Sequence, residues 1–219
     1  MIPIGCSSID KLLGGGLLEG VITQVYGSPG SGKTNIALYT SYTASKMNKK
    51  IAFIDTENSF HHERVNQIFM ENELLNNIDL INVKNFQEQE EAIEEVVNEN
   101  YDLVIIDSMT SLYRVERTDD NYYDVNRVLG KQALKLLNYA REENIPVLIT
   151  NQVYTNTDTG LIEPVGGSIL KYYSKVILEV MKTEEGRKVV LKKHLSRKDG
   201  EEAEFKIVEN GIISHGLYS

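Results

Sequence analysis

The sequence predicts an α/β fold with a mostly parallel central sheet, helices on both faces and an antiparallel extension towards the C-terminus. Three observations predict it. Short apolar, β-branched runs alternate with segments of helical length, which is typical of crossover connections between parallel strands. A glycine-rich loop joins the first apolar run to the first helical segment. After Gly166-Gly167 the runs become shorter and are joined by turns, which predicts antiparallel strands.

Five apolar runs predict the strands of the parallel part. Each is flanked by polar or glycine-containing turns, and the runs are Val21–Tyr26, Ile51–Asp55, Leu80–Val83, Leu103–Asp107 and Pro146–Thr150. Three intervening segments predict helices, namely Asn35–Met47, Gln87–Asn98 and Val125–Ala140. Ligands bind at the carboxyl ends of the strands in such sheets, so we expect the functional side chains there.

The last part of the chain predicts four further strands. They are Val176–Met181, Val189–Lys193, Glu204–Val208 and Ile212–Ser214, joined by turns at Glu185-Gly186, Asp199-Gly200 and Asn210-Gly211. We expect them to extend the same sheet in antiparallel fashion. No linker, repeat or low-complexity stretch interrupts the pattern, so we expect residues 1–219 to form a single domain.

Composition excludes several classes of protein. The single cysteine, Cys6, rules out an internal disulfide and reads as a small buried side chain in a reducing compartment. The sequence has no run of 18 apolar residues and no basic-then-apolar leader, so we expect a cytoplasmic protein. A net charge of −9 argues against a protein that coats nucleic acid with its whole surface. Residues Lys171–Lys198 are locally basic, and they form either a polyanion contact or a solvated hairpin.

The glycine-rich loop matches the phosphate-binding pattern G-x-x-x-x-G-K-[ST], also called Walker A or P-loop. Backbone N–H groups of such a loop, at the start of a helix, bind the phosphates of a nucleotide. We expect Lys33 to reach the β- and γ-phosphates and Thr34 to complete a Mg²⁺ shell. A glycine-rich turn without function is the alternative. The expected nucleotide-binding residues are Gly27, Ser28, Pro29, Gly30, Ser31, Gly32, Lys33, Thr34 and Asn35.

Four polar side chains lie at the ends of other apolar strands. Asp107 ends the run Leu103–Asp107, where a carboxylate can hold Mg²⁺ opposite Thr34. Asp55 ends the second run and Glu57 comes two residues later, so the two-residue period of a strand sends both carboxylates to the same side. We expect Glu57 to be the catalytic base, with capping of a helix near His61 as the alternative. Gln152 is expected to sense the γ-phosphate, unless it is only a polar cap of its strand.

The same residues, in this order, resemble the ATPase core of the RecA/RadA recombinase family. The resemblance covers essentially the whole chain and runs through LLGGG, GSPGSGKT, FIDTENSFHHERV, LVIIDSMTSLYR, VLITNQV and PVGGS. The chain is most similar to short archaeal paralogues of RadA that begin at the ATPase core. This resemblance implies a P-loop NTPase of RecA type that uses ATP and Mg²⁺, with Lys33, Glu57 and Gln152 as catalytic residues and Thr34 and Asp107 at the metal.

The resemblance also implies a function and partners. It implies a weak, Mg²⁺-dependent ATPase that binds DNA, with single strands favoured, and assists recombination and repair as an accessory protein. The implied partners are RadA recombinase, a Holliday-junction nuclease, a DNA polymerase subunit and further copies of the chain. A regulatory ATPase of the circadian-clock KaiC type and an adaptor that binds ATP without hydrolysis are the alternatives.

Two loops of strand-exchanging relatives bind DNA, but here they carry more acidic than basic residues. They are residues 114–126 and 154–166, so the sequence argues against strand exchange. Tyr122 and Tyr123 in the first loop either stack on unpaired bases or pack the loop. The basic segment KKHLSRKDG resembles one of the short paralogues and remains as a contact for DNA or for a neighbouring subunit's nucleotide. Its candidate residues are Lys192, Lys193, His194, Arg197 and Lys198.

Overall fold

A computed structural model describes residues 1–118, 120–155, 160 and 162–215 of the protein. The helices are α1 (Ser7–Leu13), α2 (Lys33–Lys46), α3 (His62–Ile68), α4 (Phe86–Val96), α5 (Ser111–Glu116), α6 (Tyr122–Glu143) and α7 (Gly167–Tyr173), with a 3₁₀ helix over Asn72–Asn77. The strands are β1 (Ile22–Gly27), β2 (Ile51–Asp55), β3 (Ile78–Asn82), β4 (Leu103–Asp107), β5 (Val147–Asn151), β6 (Val153–Thr155), β7 (Ile162–Pro164), β8 (Ser174–Lys182), β9 (Arg187–Lys193), β10 (Glu202–Val208) and β11 (Gly211–Ser214).

Nine of these strands form one sheet in the order β11-β10-β9-β8-β1-β5-β4-β2-β3. Along this spatial order, the neighbouring strands β8, β1, β5, β4, β2 and β3 pair in parallel. The neighbouring strands β8, β9, β10 and β11 pair in antiparallel fashion. The remaining two strands, β6 and β7, form a separate hairpin. The predicted α/β class, with its parallel centre and antiparallel extension, is therefore confirmed.

One predicted strand has a different role from the one expected. The run Val176–Met181 was assigned to the antiparallel extension, but β8 pairs in parallel with β1 as well as antiparallel with β9. The reason is α7, a seven-residue helix that crosses over and returns the chain in the direction of β1. Its apolar residues are too few for a clear helical period, so the crossover was not visible in the sequence. The antiparallel extension begins only at β9.

Two apolar clusters cover the two faces of the sheet. One contains residues of α1 and α2 and of the antiparallel strands, and it includes Cys6, which is buried as expected. The other is formed mainly under α4 and α6, whose buried stripe includes Leu129 and Leu136. In the part of the chain that the structure describes, no helix has the length and apolar character needed to cross a membrane.

The strand order determines where the functional side chains meet. Strands β1, β5, β4 and β2 are neighbours and run in the same direction. Their carboxyl ends therefore lie side by side at one edge of the sheet, called here the carboxyl edge. The phosphate loop follows β1, Gln152 follows β5, Asp107 ends β4 and Glu57 follows β2. Four strands far apart in sequence thus contribute to one place.

Candidate nucleotide site

The phosphate loop connects the buried end of β1 to the first turn of α2. A Cβ atom on Gly27 would lie 2.2 Å from the carbonyl oxygen of Val180 in the neighbouring strand β8, so only glycine fits at this crossing. Gly32 caps the start of α2 with a φ of 113°, a backbone conformation that residues with a side chain rarely adopt. Glycine is thus required at both ends of the loop, for different physical reasons.

The Lys33 side chain lies back over its own loop. Its Nζ donates to the carbonyl oxygens of Gly27, at 3.0 Å, and Ser28, at 3.1 Å. Burial lowers the pKa of the Lys33 amine, and the charges of Asp107 and Glu57 act in the opposite direction. A buried cation whose hydrogen bonds to described residues go to neutral carbonyl oxygens is well suited to bind an anion.

A cavity of about 190 Å³ opens above the loop. It is lined by Pro29, Gly30, Gly32, Lys33, Thr34, Asn35, Glu57, Asp107 and Gln152. The buried Ser31 hydroxyl oxygen has no hydrogen-bond partner among the described residues, so the loop holds an unused polar group. The lining therefore fits phosphate groups, and it contains most of the residues that the sequence predicted.

Asp107 lies at the bottom of this cavity and is only 2% exposed. It accepts hydrogen bonds from Thr150 Oγ1, from Ser59 Oγ at 2.7 Å and from the Thr34 hydroxyl. Burial raises the pKa of the Asp107 carboxyl although these hydrogen bonds oppose the change. Among the described residues, no group of three or more His, Cys, Asp or Glu side chains could hold a metal alone. Thr34 and Asp107 instead suit Mg²⁺ that is shared with a nucleotide and water.

Glu57 enters the cavity from a loop that Asp55 organises. The Asp55 carboxylate accepts hydrogen bonds from the backbone N–H groups of Glu57, Ser59 and Phe60. Strand β2 ends at Asp55, and of the two carboxylates only that of Glu57 lines the cavity, whereas that of Asp55 binds the loop backbone. Helix α3 begins after His61 without a side-chain cap, so Glu57 does not cap it. Glu57 Oε1 instead accepts from Ser108 Oγ at 2.6 Å.

Gln152 connects Glu57 to Arg114 through two hydrogen bonds. Its Nε2 donates to Glu57 Oε1 at 2.7 Å, and its Oε1 accepts from Arg114 Nη1 at 2.8 Å. The Gln152 side chain is therefore more than a polar end to its strand, because both ends of its amide contact charged groups.

A second cavity, of about 630 Å³, lies beside the first and is called here the arginine cavity. Its lining includes Arg114, Arg117, Tyr122, Tyr154 and residues 165–169. The Arg117 guanidinium lies over the Tyr122 ring, 4.5 Å from its centre. Tyr123 is 86% exposed, and its ring contacts the Tyr122 ring edge-on at 5.5 Å between centres.

The structure separates the charges that the sequence placed in one acidic loop. Arg114 and Arg117 line the arginine cavity, whereas Glu116 and Asp124 line a different cavity beside α4. Asp119 and Asp158, which also contributed to that charge count, lie outside the described residues. Glu163 of the second loop accepts a hydrogen bond from the Tyr154 hydroxyl at 3.1 Å, so one acidic residue of that count does lie next to the arginine cavity.

The basic segment Lys192–Lys198 does not reach either cavity. Lys193 Nζ donates to the carbonyl oxygens of Lys171, at 2.9 Å, and Ser174, at 2.7 Å, at the end of α7. Lys192 pairs with Glu179 at 3.2 Å. His194 Nδ1 accepts from the N–H groups of Ser196 and Arg197 within the segment itself, the Arg197 guanidinium lies against Gly14 after α1, and Lys198 is exposed.

Several residues of the site could not be found by pattern alone. Ser108 and Thr150 were not predicted, and their position at the ends of apolar strands is the only sequence signal that could have found them. Lys182 and Arg187 lie against the phosphate loop at Gly30, but only the pairing of β8 with β1 and β9 brings them there. Arg114 had no sequence signal, because it lies 38 residues from Gln152.

Comparison with known proteins agrees with this geometry. The Rad51 family model matches residues 1–215. DNA repair and recombination protein RadB of Methanosphaera stadtmanae is 42% identical, over 97% of this chain and 95% of the relative. RadB of Archaeoglobus fulgidus is 40% identical, over 97% of both chains. The crystal structure of the RadB recombinase is similar with a TM-score of 0.84 and 36% identity, covering 98% of this chain and 99% of the other.

Proposed function

The chain belongs to the Rad51 family as one of its RadB-type members, and from this we propose that it binds ATP with Mg²⁺, hydrolyses it weakly and binds DNA in recombinational repair. We further propose an accessory role rather than that of the main strand-exchange enzyme. RecA/Rad51 proteins are in general ATPases, which supports the enzymatic part of the proposal.

One observation carries this proposal. Side chains that follow four different strands, namely Lys33, Gln152, Asp107 and Glu57, line a single small cavity at the carboxyl edge. A cation, a polar amide and two carboxylates around a glycine-rich loop are the set that phosphoryl transfer requires. A purely structural loop has no need for a buried lysine and a buried aspartate at the same point.

Each residue has a definite task in the proposed reaction. Lys33 and the loop N–H groups hold the phosphates, and Thr34 and Asp107 hold Mg²⁺, which neutralises charge on the transferred group. Glu57 accepts a proton from the water that attacks the γ-phosphorus, while the bond from phosphorus to the β,γ-bridging oxygen breaks. Gln152, which contacts Glu57, positions that carboxylate relative to the γ-phosphate.

Two variants test the nucleotide site. We expect Lys33→Ala to lose ATP binding while the fold remains, because it removes a buried cation whose charged form burial disfavours. We expect Glu57→Gln to keep ATP binding and to lose turnover by about 10²-fold or more, the usual contribution of a general base. Isothermal titration with ATP and Mg²⁺, a phosphate-release assay and thermal unfolding give the three readouts.

Two outcomes would contradict the assignments. Retained ATP affinity in Lys33→Ala would refute the binding site. Unchanged turnover in Glu57→Gln would remove Glu57 as the base and would favour an adaptor that holds ATP without hydrolysis.

The arginine cavity supports the DNA part of the proposal. Arg114 and Arg117 can contact phosphates, and the tyrosine rings of Tyr122 and Tyr154 can stack on unpaired bases. The similarity to RadB proteins of DNA repair and recombination also favours DNA repair over a clock-type regulatory ATPase. RadA recombinase, a Holliday-junction nuclease, a DNA polymerase subunit and further copies of the chain remain proposed partners, and the cytoplasmic location remains a prediction.

A further inference from the structure

The Ser59 hydroxyl lies between two buried carboxylates. Its oxygen is 2.7 Å from Asp107 Oδ2 and 3.1 Å from Asp55 Oδ1, and these two aspartates are 2% and 1% exposed. They end the neighbouring strands β4 and β2, so the hydroxyl bridges two strand ends of the carboxyl edge. A serine hydroxyl carries one proton, so Ser59 can donate fully to only one of the two carboxylates at a time.

The other hydrogen bonds of the two carboxylates show which of them receives this proton. Asp55 already accepts from the backbone N–H groups of Glu57, Ser59 and Phe60, at 3.1, 2.9 and 2.8 Å. Asp107 accepts from side-chain hydroxyl groups, and its contact with Ser59 is the shorter of the two. A buried carboxylate without backbone donors gains more from a hydroxyl than one that already binds three N–H groups. The Ser59 hydroxyl therefore points to Asp107.

The hydroxyl groups that donate to Asp107 come from three different parts of the fold. They are Thr34 in the first turn of α2, Thr150 in β5 and Ser59 in the loop after β2. Thr150 donates to Oδ1 and Ser59 to Oδ2, so each carboxylate oxygen has a donor of its own and the plane of the carboxylate is fixed. The loop that contains Ser59 also carries Glu57. The Ser59 hydrogen bond thus holds this loop and the Asp107 carboxylate in one arrangement.

We propose that Ser59 is a positioning residue that orients the Asp107 carboxylate for Mg²⁺ and fixes the Glu57 loop relative to it. This inference rests on the proposed function. Without the Ser59 hydroxyl, Oδ2 of Asp107 loses its donor, and the carboxylate can turn about its terminal torsion, which is broad for aspartate. The phosphate loop does not depend on this hydrogen bond, so nucleotide affinity without Mg²⁺ should remain. The gain in affinity that Mg²⁺ gives and the rate of hydrolysis should both decrease.

The test compares Ser59→Ala with Ser41→Ala as a matched control. Ser41 is a buried serine of α2 whose hydroxyl donates to the Ala37 carbonyl oxygen at 3.0 Å, and it does not line the cavity above the phosphate loop. Isothermal titration with the β,γ-imido analogue of ATP, with and without Mg²⁺, measures the gain in affinity. A phosphate-release assay with ATP measures kcat.

We expect Ser59→Ala to lose about 10-fold in the Mg²⁺-dependent affinity gain and about 10-fold in kcat, the lower end of the effect of residues that orient metal ligands. Its nucleotide affinity without Mg²⁺ should equal that of wild type. Ser41→Ala should equal wild type in all three quantities, because it removes a buried hydroxyl that has no contact with Asp107.

Two further variants separate the loss of a donor from a loss of packing. Ser59→Thr keeps the hydroxyl and should restore both the Mg²⁺ effect and kcat. Ser59→Cys fills nearly the same space with a weak donor, so it should behave like Ser59→Ala and provides the same comparison if the alanine variant does not fold. Thermal unfolding without ligands shows which variants are folded.

The outcomes distinguish this inference from the proposed function. If Ser59→Ala matches Ser41→Ala in both the Mg²⁺ effect and kcat, or if Ser59→Thr is as impaired as Ser59→Ala, the Ser59 hydroxyl does not position Asp107, although the ATPase proposal stands. If wild type neither binds nor hydrolyses ATP, the proposed function is wrong and the role of Ser59 is wrong with it.

Discussion

The buried Asp107 carboxylate lowers the stability of the fold and at the same time suits the binding of a cation. Its carboxylate is 2% exposed, and three hydroxyl groups donate to it. Burial still raises its pKa above the ordinary value of 3.8. Burying the charged form of this carboxylate lowers the free energy of unfolding. Binding of a cation together with Thr34 would explain why the protein has a carboxylate at this position.

The raised pKa predicts how stability depends on pH. Between the unfolded pKa near 3.8 and the higher folded pKa, the native state binds more protons than the unfolded state. The free energy of unfolding therefore decreases as pH rises through this interval. Asp107→Asn lacks this titration, so its stability relative to wild type should increase as pH rises above the unfolded pKa of about 3.8.

Urea unfolding of both proteins at several pH values, without Mg²⁺ and nucleotide, measures this difference. A difference that stays constant with pH would show that Asp107 does not titrate in the folded protein. Addition of Mg²⁺ and ATP should then stabilise wild type and not Asp107→Asn, since a ligand stabilises only the state that binds it.

At the scale of elements, α3 joins the nucleotide site to the end of the sheet. Arg64 of α3 donates to Asn35 Oδ1 at 2.8 Å. Asn35 is the residue after Thr34 in the first turn of α2. It also donates to the carbonyl oxygens of Glu209, at 2.7 Å, and Gly211, at 3.1 Å, in the turn between β10 and β11. One guanidinium thus connects the helix after the phosphate loop with the C-terminal hairpin.

We expect Arg64→Ala to lower the free energy of unfolding by about 2 kcal/mol, because several charge-assisted hydrogen bonds are lost and two backbone carbonyls lose a partner. Arg141→Ala, an exposed change at the end of α6, should stay within about 0.5 kcal/mol of wild type. Denaturant unfolding of the two variants measures this. Equal stability of both variants would show that the Arg64 contacts do not hold the hairpin to α2.

At the scale of the whole molecule, the basic residues considered for DNA binding occupy two separate surfaces despite the net charge of −9. Arg114 and Arg117 lie in the arginine cavity, next to the carboxyl edge. The second surface surrounds Lys193, which donates to the carbonyl oxygen of Ser174 at the start of β8. The phosphate loop adjoins Val180 near the end of β8, so the second surface lies at the edge of the sheet opposite the carboxyl edge. Burial is the largest cause that lowers the pKa of Lys193, and the charges of Lys175 and Lys171 lower it further.

Salt dependence identifies which of these surfaces binds single-stranded DNA. Each phosphate contact contributes about −0.7 to the slope of log affinity against log salt concentration, so the double variant Arg114→Ala/Arg117→Ala should flatten the slope by about 1.4. Lys171→Ala/Lys198→Ala should leave it unchanged. Fluorescence anisotropy between about 50 and 200 mM salt measures both slopes. A change confined to the lysine variant would place the DNA on the basic segment predicted from the sequence.

The amino-acid sequence by itself determined the local parts of this protein. Strands β2 and β4 were predicted with the bounds that the structure has, and the phosphate loop was recognised from its glycine, lysine and threonine spacing. Glu57, Asp107 and Gln152 were chosen because each follows an apolar strand. Such features depend on residues close together in the chain, where backbone geometry and side-chain period act directly.

Only the tertiary structure decided how these parts are combined. The parallel pairing of β8 with β1, the separation of Arg114 and Arg117 from Glu116 and Asp124, and the link from Arg114 through Gln152 to Glu57 were not predicted. Gln152 and Glu57 are 95 residues apart in the chain. Contacts of this kind follow from strand order and from the packing of the whole core, which no local pattern of residues specifies.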